Sequence, residues 1–206
     1  MDQAPTAKGQ PPTATSQQPA AGSHARDVET RLADLLTRVI DWLKFAEAKN
    51  TAAVGLASTA LGVIVTFLVA GPSVEPLAGA GMAIGAVVLM VSLMLAVASF
   101  LPSTDLEKHL LGEREKPSER DNLLFYGHIA RYEPRALVIA IGEMYFDQPE
   151  DAPPPSKFAI DLAGQIVTNA RITVRKLELF RYSLLLFGFG VLIASAAMAL
   201  AAFLVV

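Results

Sequence analysis

Three stretches of this chain run for more than twenty residues without a single Lys, Arg or Asp: Thr51–Val74, Leu77–Leu101 and Tyr182–Val206. About 20 apolar residues in a helix cross the roughly 30 Å of hydrocarbon in a bilayer. Each stretch therefore reads as a transmembrane helix, and the chain as a membrane protein with three spans. The first span begins far from the N-terminus, which argues against a cleaved signal peptide. The composition agrees. Of 206 residues, 52% are hydrophobic and only 18% charged, and the mean hydropathy is +0.41. A soluble domain rarely reaches that average, because its surface must stay charged.

The basic residues orient the spans, since short cytoplasmic segments carry the excess of Lys and Arg. Lys8, Arg26, Arg31, Arg38, Lys44 and Lys49 precede span one, and the remaining 11 of 17 lie between Lys108 and Arg181. The turn Gly71-Pro-Ser-Val-Glu-Pro76 has none. This bias predicts a cytoplasmic N-terminus, a cytoplasmic segment 102–181 and an outward C-terminus.

Within the spans, Gly81 and Gly85 form a GxxxG. Gly55, Ser58 and Gly62 share one face, and Ala194, Ala197 and Ala201 share another. Small residues at these intervals let helices approach closely, within a chain or between copies. No span contains an ionisable residue of the kind that couples transport, which argues against a proton- or ion-coupled transporter. Three spans cannot enclose a sizeable pore, so a pore would require assembly of several copies.

The polar parts divide as follows. Residues 1–27 form a leader rich in Pro, Ala, Gln, Thr and Ser, expected to be disordered. Asp27 is placed to cap a helix over 28–50, with Leu32, Leu36, Val39, Leu43 and Ala46 in a heptad-like stripe. No breaker separates this helix from span one. Segment 102–155 reads as short helices: one opened by a Thr104–Glu107 capping box, one over Asn122–Tyr132, and one opened by Pro134 and ending near Phe146. Ser156 is placed to cap a helix over 156–181, striped by Ile160, Ala163, Val167, Ala170, Val174 and Leu177, which runs without a breaker into span three. No alternating strand pattern occurs. The expected fold is all-α: three spans and a cytoplasmic bundle built from long helices continuous with spans one and three.

Three segments then stand out: Trp42-Leu-Lys-Phe-Ala-Glu-Ala-Lys-Asn50 before span one, Asn122-Leu-Leu-Phe-Tyr-Gly-His-Ile-Ala130 in the middle, and Gln165-Ile-Val-Thr-Asn-Ala-Arg-Ile172 with Lys176 before span three. In this order and around these spans, the chain resembles the Pycsar transmembrane effector family over roughly 28–206. The family often has Asp where this chain has Glu47, and Thr where it has Ala48. The resemblance implies bacterial anti-phage defence. A separate pyrimidine cyclase makes cyclic CMP or cyclic UMP on infection, and the effector senses that messenger and impairs the inner membrane, so that infection aborts.

A cyclic pyrimidine nucleotide wants a cation for its phosphate, hydrogen-bonding side chains for its base, and an aromatic or apolar face for its ring. Arg131, Arg171, Arg175 and Lys176 are candidates for the phosphate. Asn122, Gln165 and Asn169 are candidates for the base or ribose, and Phe125, Tyr126 and His128 for stacking. Phe45, Glu47 and Lys49 complete the juxtamembrane motif. Plainer roles compete: Asn169 as a register-setting residue, the basic residues near the spans as headgroup anchors, His128 as a packed helix residue, and Glu47 and Lys49 as ordinary juxtamembrane charges.

Other functions are constrained. The net charge of −3 is too small to suggest a nucleic-acid partner. There is no cysteine, and His24, His109 and His128 are widely scattered, so neither a metal site nor a cofactor is expected. No GxSxG, HExxH or phosphate-cradling glycine loop points to an enzyme. A structural, scaffolding membrane protein is the alternative to the effector.

Overall fold

The computed structural model describes residues 18–71, 75–101, 116–149 and 152–204. Every regular element among them is a helix: α1 Gln18–Ala70, α2 Pro76–Ala98, α3 Tyr126–Ile129, α4 Pro134–Phe146 and α5 Lys157–Leu204. Helices α1 and α5 have 53 and 48 residues, so each is about 70–80 Å long at 1.5 Å per residue. Together with α2 they are long and apolar enough to cross a membrane. The three-span, all-helical expectation is met, and α1 and α5 pass from polar to apolar sequence without a break. The Thr104–Glu107 capping box and residues 1–17 lie outside the described residues.

The ends of the elements follow from local chemistry. The Ser156 hydroxyl accepts the Ala159 N–H at 3.0 Å and so caps α5. The same hydroxyl donates to Glu29 Oε1 of α1 at 2.6 Å, tying the bundle ends of the two long helices together. Pro134 occupies the first turn of α4, and Asp147 ends it with φ 48°, a left-handed position that Asp tolerates better than most side chains. Glu75 caps α2 by accepting from Leu77 and Ala78 N–H, and its negative charge suits a helix N-terminus.

The structure corrects the expected helix boundaries in two places. Helix α1 is already formed at Gln18, so Asp27 lies inside it and does not cap it. The Gln, Ala and Ser of residues 18–27 offer no apolar stripe that would mark this earlier start. Asn122–Tyr132 is not one helix. Only Tyr126–Ile129 is helical, preceded by a turn in which the Asn122 side chain accepts the Leu124 N–H, an Asx turn that competes with helix.

The polar bundle has one core. Helix α1 gives Val28, Leu32, Leu35 and Val39; α4 gives Leu137, Val138 and Ile141; α5 gives Ala159, Ala163, Ile166, Val167 and Ala170; Leu123 and Ile129 close it. Leu35 is buried where Leu36 was expected, and Leu36 packs at the margin. The small alanines of α5 admit the larger side chains of α1. Each fully buried Leu or Ile contributes about 1.5–3 kcal/mol.

The α1 stripe continues through the Trp42–Asn50 motif and beyond it as Ala46, Asn50, Ala53 and Ala57. In α2, Ala78, Met82, Gly85, Leu89, Ser92 and Ala96 are buried, a strict repeat of threes and fours that packs on α5. A Cβ at Gly85 would meet Gly190 O at 2.8 Å and Ala194 Cβ at 2.9 Å, and one at Gly81 would meet Ala197 Cβ at 2.5 Å. The GxxxG and the alanine face therefore meet each other. Ser92 and Ser183 lock the crossing, each hydroxyl donating to the other's carbonyl at 2.8 and 2.9 Å. A Cβ at Gly55 or Gly62 would meet nothing within 4 Å, so these two glycines take no part in close packing within the chain.

Replacing Gly85 with Leu should destabilise the α2–α5 crossing by about 1–3 kcal/mol through overpacking. Gly55→Leu should stay within about 0.5 kcal/mol. Unfolding by denaturing-detergent titration of the purified protein measures both.

Candidate functional site

The three sequence segments converge. Trp42 of the first lies 5.3 Å from Tyr126 of the second, ring to ring. Phe45 packs edge-on against Trp42 at 6.0 Å, Phe125 lies 4.5 Å from Tyr126, and His128 stands edge-on to Phe125 at 5.3 Å. These rings form a half-exposed aromatic patch beside the polar end of span one. The third segment touches both of the others, through Arg171 and Lys176.

All four cations expected to meet phosphate have protein partners. Arg171 donates from Nε to Ala130 O at 3.1 Å, and from Nη2 to Tyr132 O at 2.8 Å and Glu133 Oε1 at 2.7 Å. It closes the end of α3 onto α5. Arg131 pairs with Asp121 at 2.9 Å, and that carboxylate is buried and also accepts the Ser118 N–H. Arg175 donates to Leu101 O and Ala98 O at the end of α2, where a cation suits the negative end of the helix dipole. Lys176 pairs with Glu47 at 3.2 Å and lies over the Phe100 ring at 5.3 Å. Lys49 lies over Phe45 at 4.5 Å and Phe180 at 5.4 Å.

The uncharged candidates are more open. The His128 Nδ1 accepts the Asn122 N–H at 2.8 Å, which places the ring proton on Nε2. Asn122 stays exposed and Tyr126 half-buried. Gln165 is exposed on α5 and Asn169 half-buried. No hydrogen bond joins either of these two side chains to the aromatic patch among the described residues.

Asn50 ends the first motif and carries no expected role. It is fully buried where α1 meets α5, and its Nδ2 donates to Ala46 O and Lys176 O. Its Oδ1 has no partner. Asp121 stands outside every motif, although a carboxylate ahead of a turn, ten residues from an arginine, is a readable pairing signal. Together Glu47, Asn50, Arg175 and Lys176 form a polar layer that ties all three long helices together at the bilayer edge.

A separate cavity of 630 Å³ opens at the end of the bundle farthest from the spans. It lies between α1, α4 and the proline-rich link into α5, and its lining includes Glu29, Arg135, Ile139, Glu143 and Gln148. None of the motif residues lines it. Among the described residues no group of His, Asp or Glu is arranged to hold a metal ion.

Fold and site together define a class: a helical membrane protein of three spans whose two longest helices project into a polar bundle. Residues 31–204 match the sequence profile described as the Pycsar effector protein domain. The chain is also 34% identical, over 156 residues, to the Pycsar effector protein RsPycTM of a Rhizobium species, covering 74% of this chain and 85% of that protein. No solved structure matches it. The chain belongs to the Pycsar effector family, and that membership implies a role in anti-phage defence.

Two outcomes follow from the internal bonding. Arg171→Ala leaves the Ala130 and Tyr132 carbonyls without this donor. It should cost about 2 kcal/mol and speed hydrogen exchange over 121–133 with no nucleotide present. Tyr132 has its phenol raised above the ordinary 10.0, first by burial and then by the Asp121 charge, and burial raises Tyr126 likewise. The folded state favours the neutral phenols. Their contribution is complete below pH 10 and is lost as pH rises through the folded values. An alkaline titration followed by circular dichroism should show unfolding above pH 10, with a later onset for Tyr132→Phe.

Proposed function

We propose that this chain is a Pycsar-type effector. It senses cyclic CMP or cyclic UMP made by a separate pyrimidine cyclase and impairs the bacterial inner membrane, so that infection aborts. The observation that carries this reading is mechanical. Helices α1 and α5 each run without interruption from the polar bundle into a span, and the polar layer of Glu47, Asn50, Arg175 and Lys176 joins them to α2 where they enter. A ligand that moves the bundle therefore moves the spans. The Lys and Arg bias supports a cytoplasmic bundle and N-terminus and an outward C-terminus. Membrane impairment acts through a homo-oligomer, and the unpacked Gly55 and Gly62 of span one support association between copies. The reading assigns no enzymatic step. Asn122, Tyr126, His128, Gln165 and Asn169 are the part of the motif set still open to a ligand, whereas Arg131, Arg171 and Lys176 hold the bundle together.

The test is a potential-sensitive dye in liposomes carrying the full chain. Cyclic CMP or cyclic UMP should collapse an imposed potential, and cyclic AMP and cyclic GMP should not. Lys176→Glu, which places like charges at the Glu47 contact, should weaken the response at least about tenfold, equivalent to about 1.4 kcal/mol, and the Glu47→Lys, Lys176→Glu exchange should restore it. An unchanged potential with the nucleotide bound would remove membrane impairment and leave nucleotide sensing, whereas no binding by the folded chain would leave a scaffolding protein without a nucleotide ligand.

A further inference from the structure

We infer that the messenger docks in the 630 Å³ cavity at the far end of the bundle, not on the aromatic patch beside the spans. The inference rests on the effector reading and adds a place to it.

Pockets for small molecules run from roughly 300 to 1,000 Å³, and this cavity falls within that range. Its lining has the matching chemistry. Arg135, Val138, Ile139 and Glu143 line it from one face of α4, at the i, i+3, i+4, i+8 spacing that keeps side chains in a row. Among the described residues, neither Arg135 nor Glu143 takes part in an ion pair or a hydrogen bond, and neither does the Gln148 side chain. The cavity therefore holds a cation, a carboxylate and an amide with unused bonding capacity. Arg135 and Glu143 are two turns apart, about 12 Å along the helix, so the positive and negative ends are separated. The phosphate of a mononucleotide takes the guanidinium. Its base takes Gln148 and Glu143, since a carboxylate accepts from an exocyclic amine or ring N–H. The apolar wall of Val138, Ile139 and the prolines of the link faces the ring between them.

The aromatic patch lacks this division. It offers rings, but Arg131 is engaged by the Asp121 carboxylate and Lys49 lies over two phenylalanines. Position also favours the cavity. Glu29 and Val28 of α1, and Ser156 and Ala159 at the start of α5, line it, so an occupant sits between the bundle ends of the two helices that enter the membrane. The Ser156–Glu29 hydrogen bond crosses the same gap and ties those two helices together.

Calorimetric titration of the detergent-purified full chain with cyclic CMP and cyclic UMP separates the outcomes. Arg135 and Ile139 are both exposed, so Arg135→Gln and Ile139→Trp leave the core intact, which circular dichroism and gel filtration verify. The expected result is binding by the parent chain, binding weaker by at least about tenfold in Arg135→Gln, and loss of binding by Ile139→Trp, whose indole fills the cavity. Binding that survives both changes but is lost in Tyr126→Ala would overturn the cavity and leave the effector reading standing. A folded parent chain that binds neither nucleotide would overturn both.

Discussion

A backbone N–H or C=O that enters hydrocarbon without an internal partner costs several kcal/mol, so a chain that crosses the bilayer must arrive as helix and leave as helix. In this chain that constraint reaches well beyond the bilayer. Helices α1 and α5 do not begin at the membrane edge. They continue through roughly 38–50 Å of polar sequence, with no break between bundle and span. Because both helices run toward the membrane, they lie parallel, and their heptad-spaced stripes face each other through the bundle. Helix α4 and the short α3 segment pack onto this pair, and α2 packs onto its membrane half.

The transition between the two environments is made by four polar side chains in one layer. Each would be costly if buried alone. Lys176 is nearly buried but has Glu47 and the Phe100 ring, and Arg175 satisfies the last carbonyls of α2. The weak point is Asn50, whose Oδ1 is buried without a partner, an arrangement that typically costs about 1–3 kcal/mol. An apolar residue there would pack without that penalty. A buried asparagine in a heptad position fixes register between helices at the expense of stability. Here its N–H bond to Lys176 O is the one that crosses from α1 to α5 and fixes how far the two helices slide past each other, while the bond to Ala46 O stays within α1 and holds the side chain in place.

What is legible in the sequence, and what is not, divides along the range of the interactions. The spans, the Pro134–Phe146 helix and the Ser156 cap are local: each depends on residues within a turn or two. The GxxxG is legible for the same reason, although its partner on α5 is identified only by the fold. Errors arise where a local signal meets a distant competitor. Leu36 and Leu35 satisfy nearly the same stripe, and the packing partners on α4 and α5 decide between them. Asn122 reads as a helix residue until its own side chain closes a turn. The cations are the hardest to assign, because composition shows that an arginine is present but not which carbonyls surround it. Arg171 meets three acceptors that lie 38 to 41 residues away. The cavity residues Arg135, Glu143 and Gln148 belong to no motif, and only the tertiary fold sets them around one space.

An effector of this build faces a definite energetic requirement. Moving a two-state protein from one part in a hundred active to ninety-nine takes about 10⁴-fold preferential binding, about 5.5 kcal/mol. A mononucleotide has few atoms with which to supply that difference from one site. Association through the unpacked face of span one would let several ligands act on one assembly, and each occupied copy would add its own preference to a shared transition. A rigid parallel pair suits such a transition, because packed helices shift between discrete arrangements and do not deform continuously. The same interdigitated Leu–Ala stripe that stabilises the bundle is thus what would carry a change at its far end to the membrane.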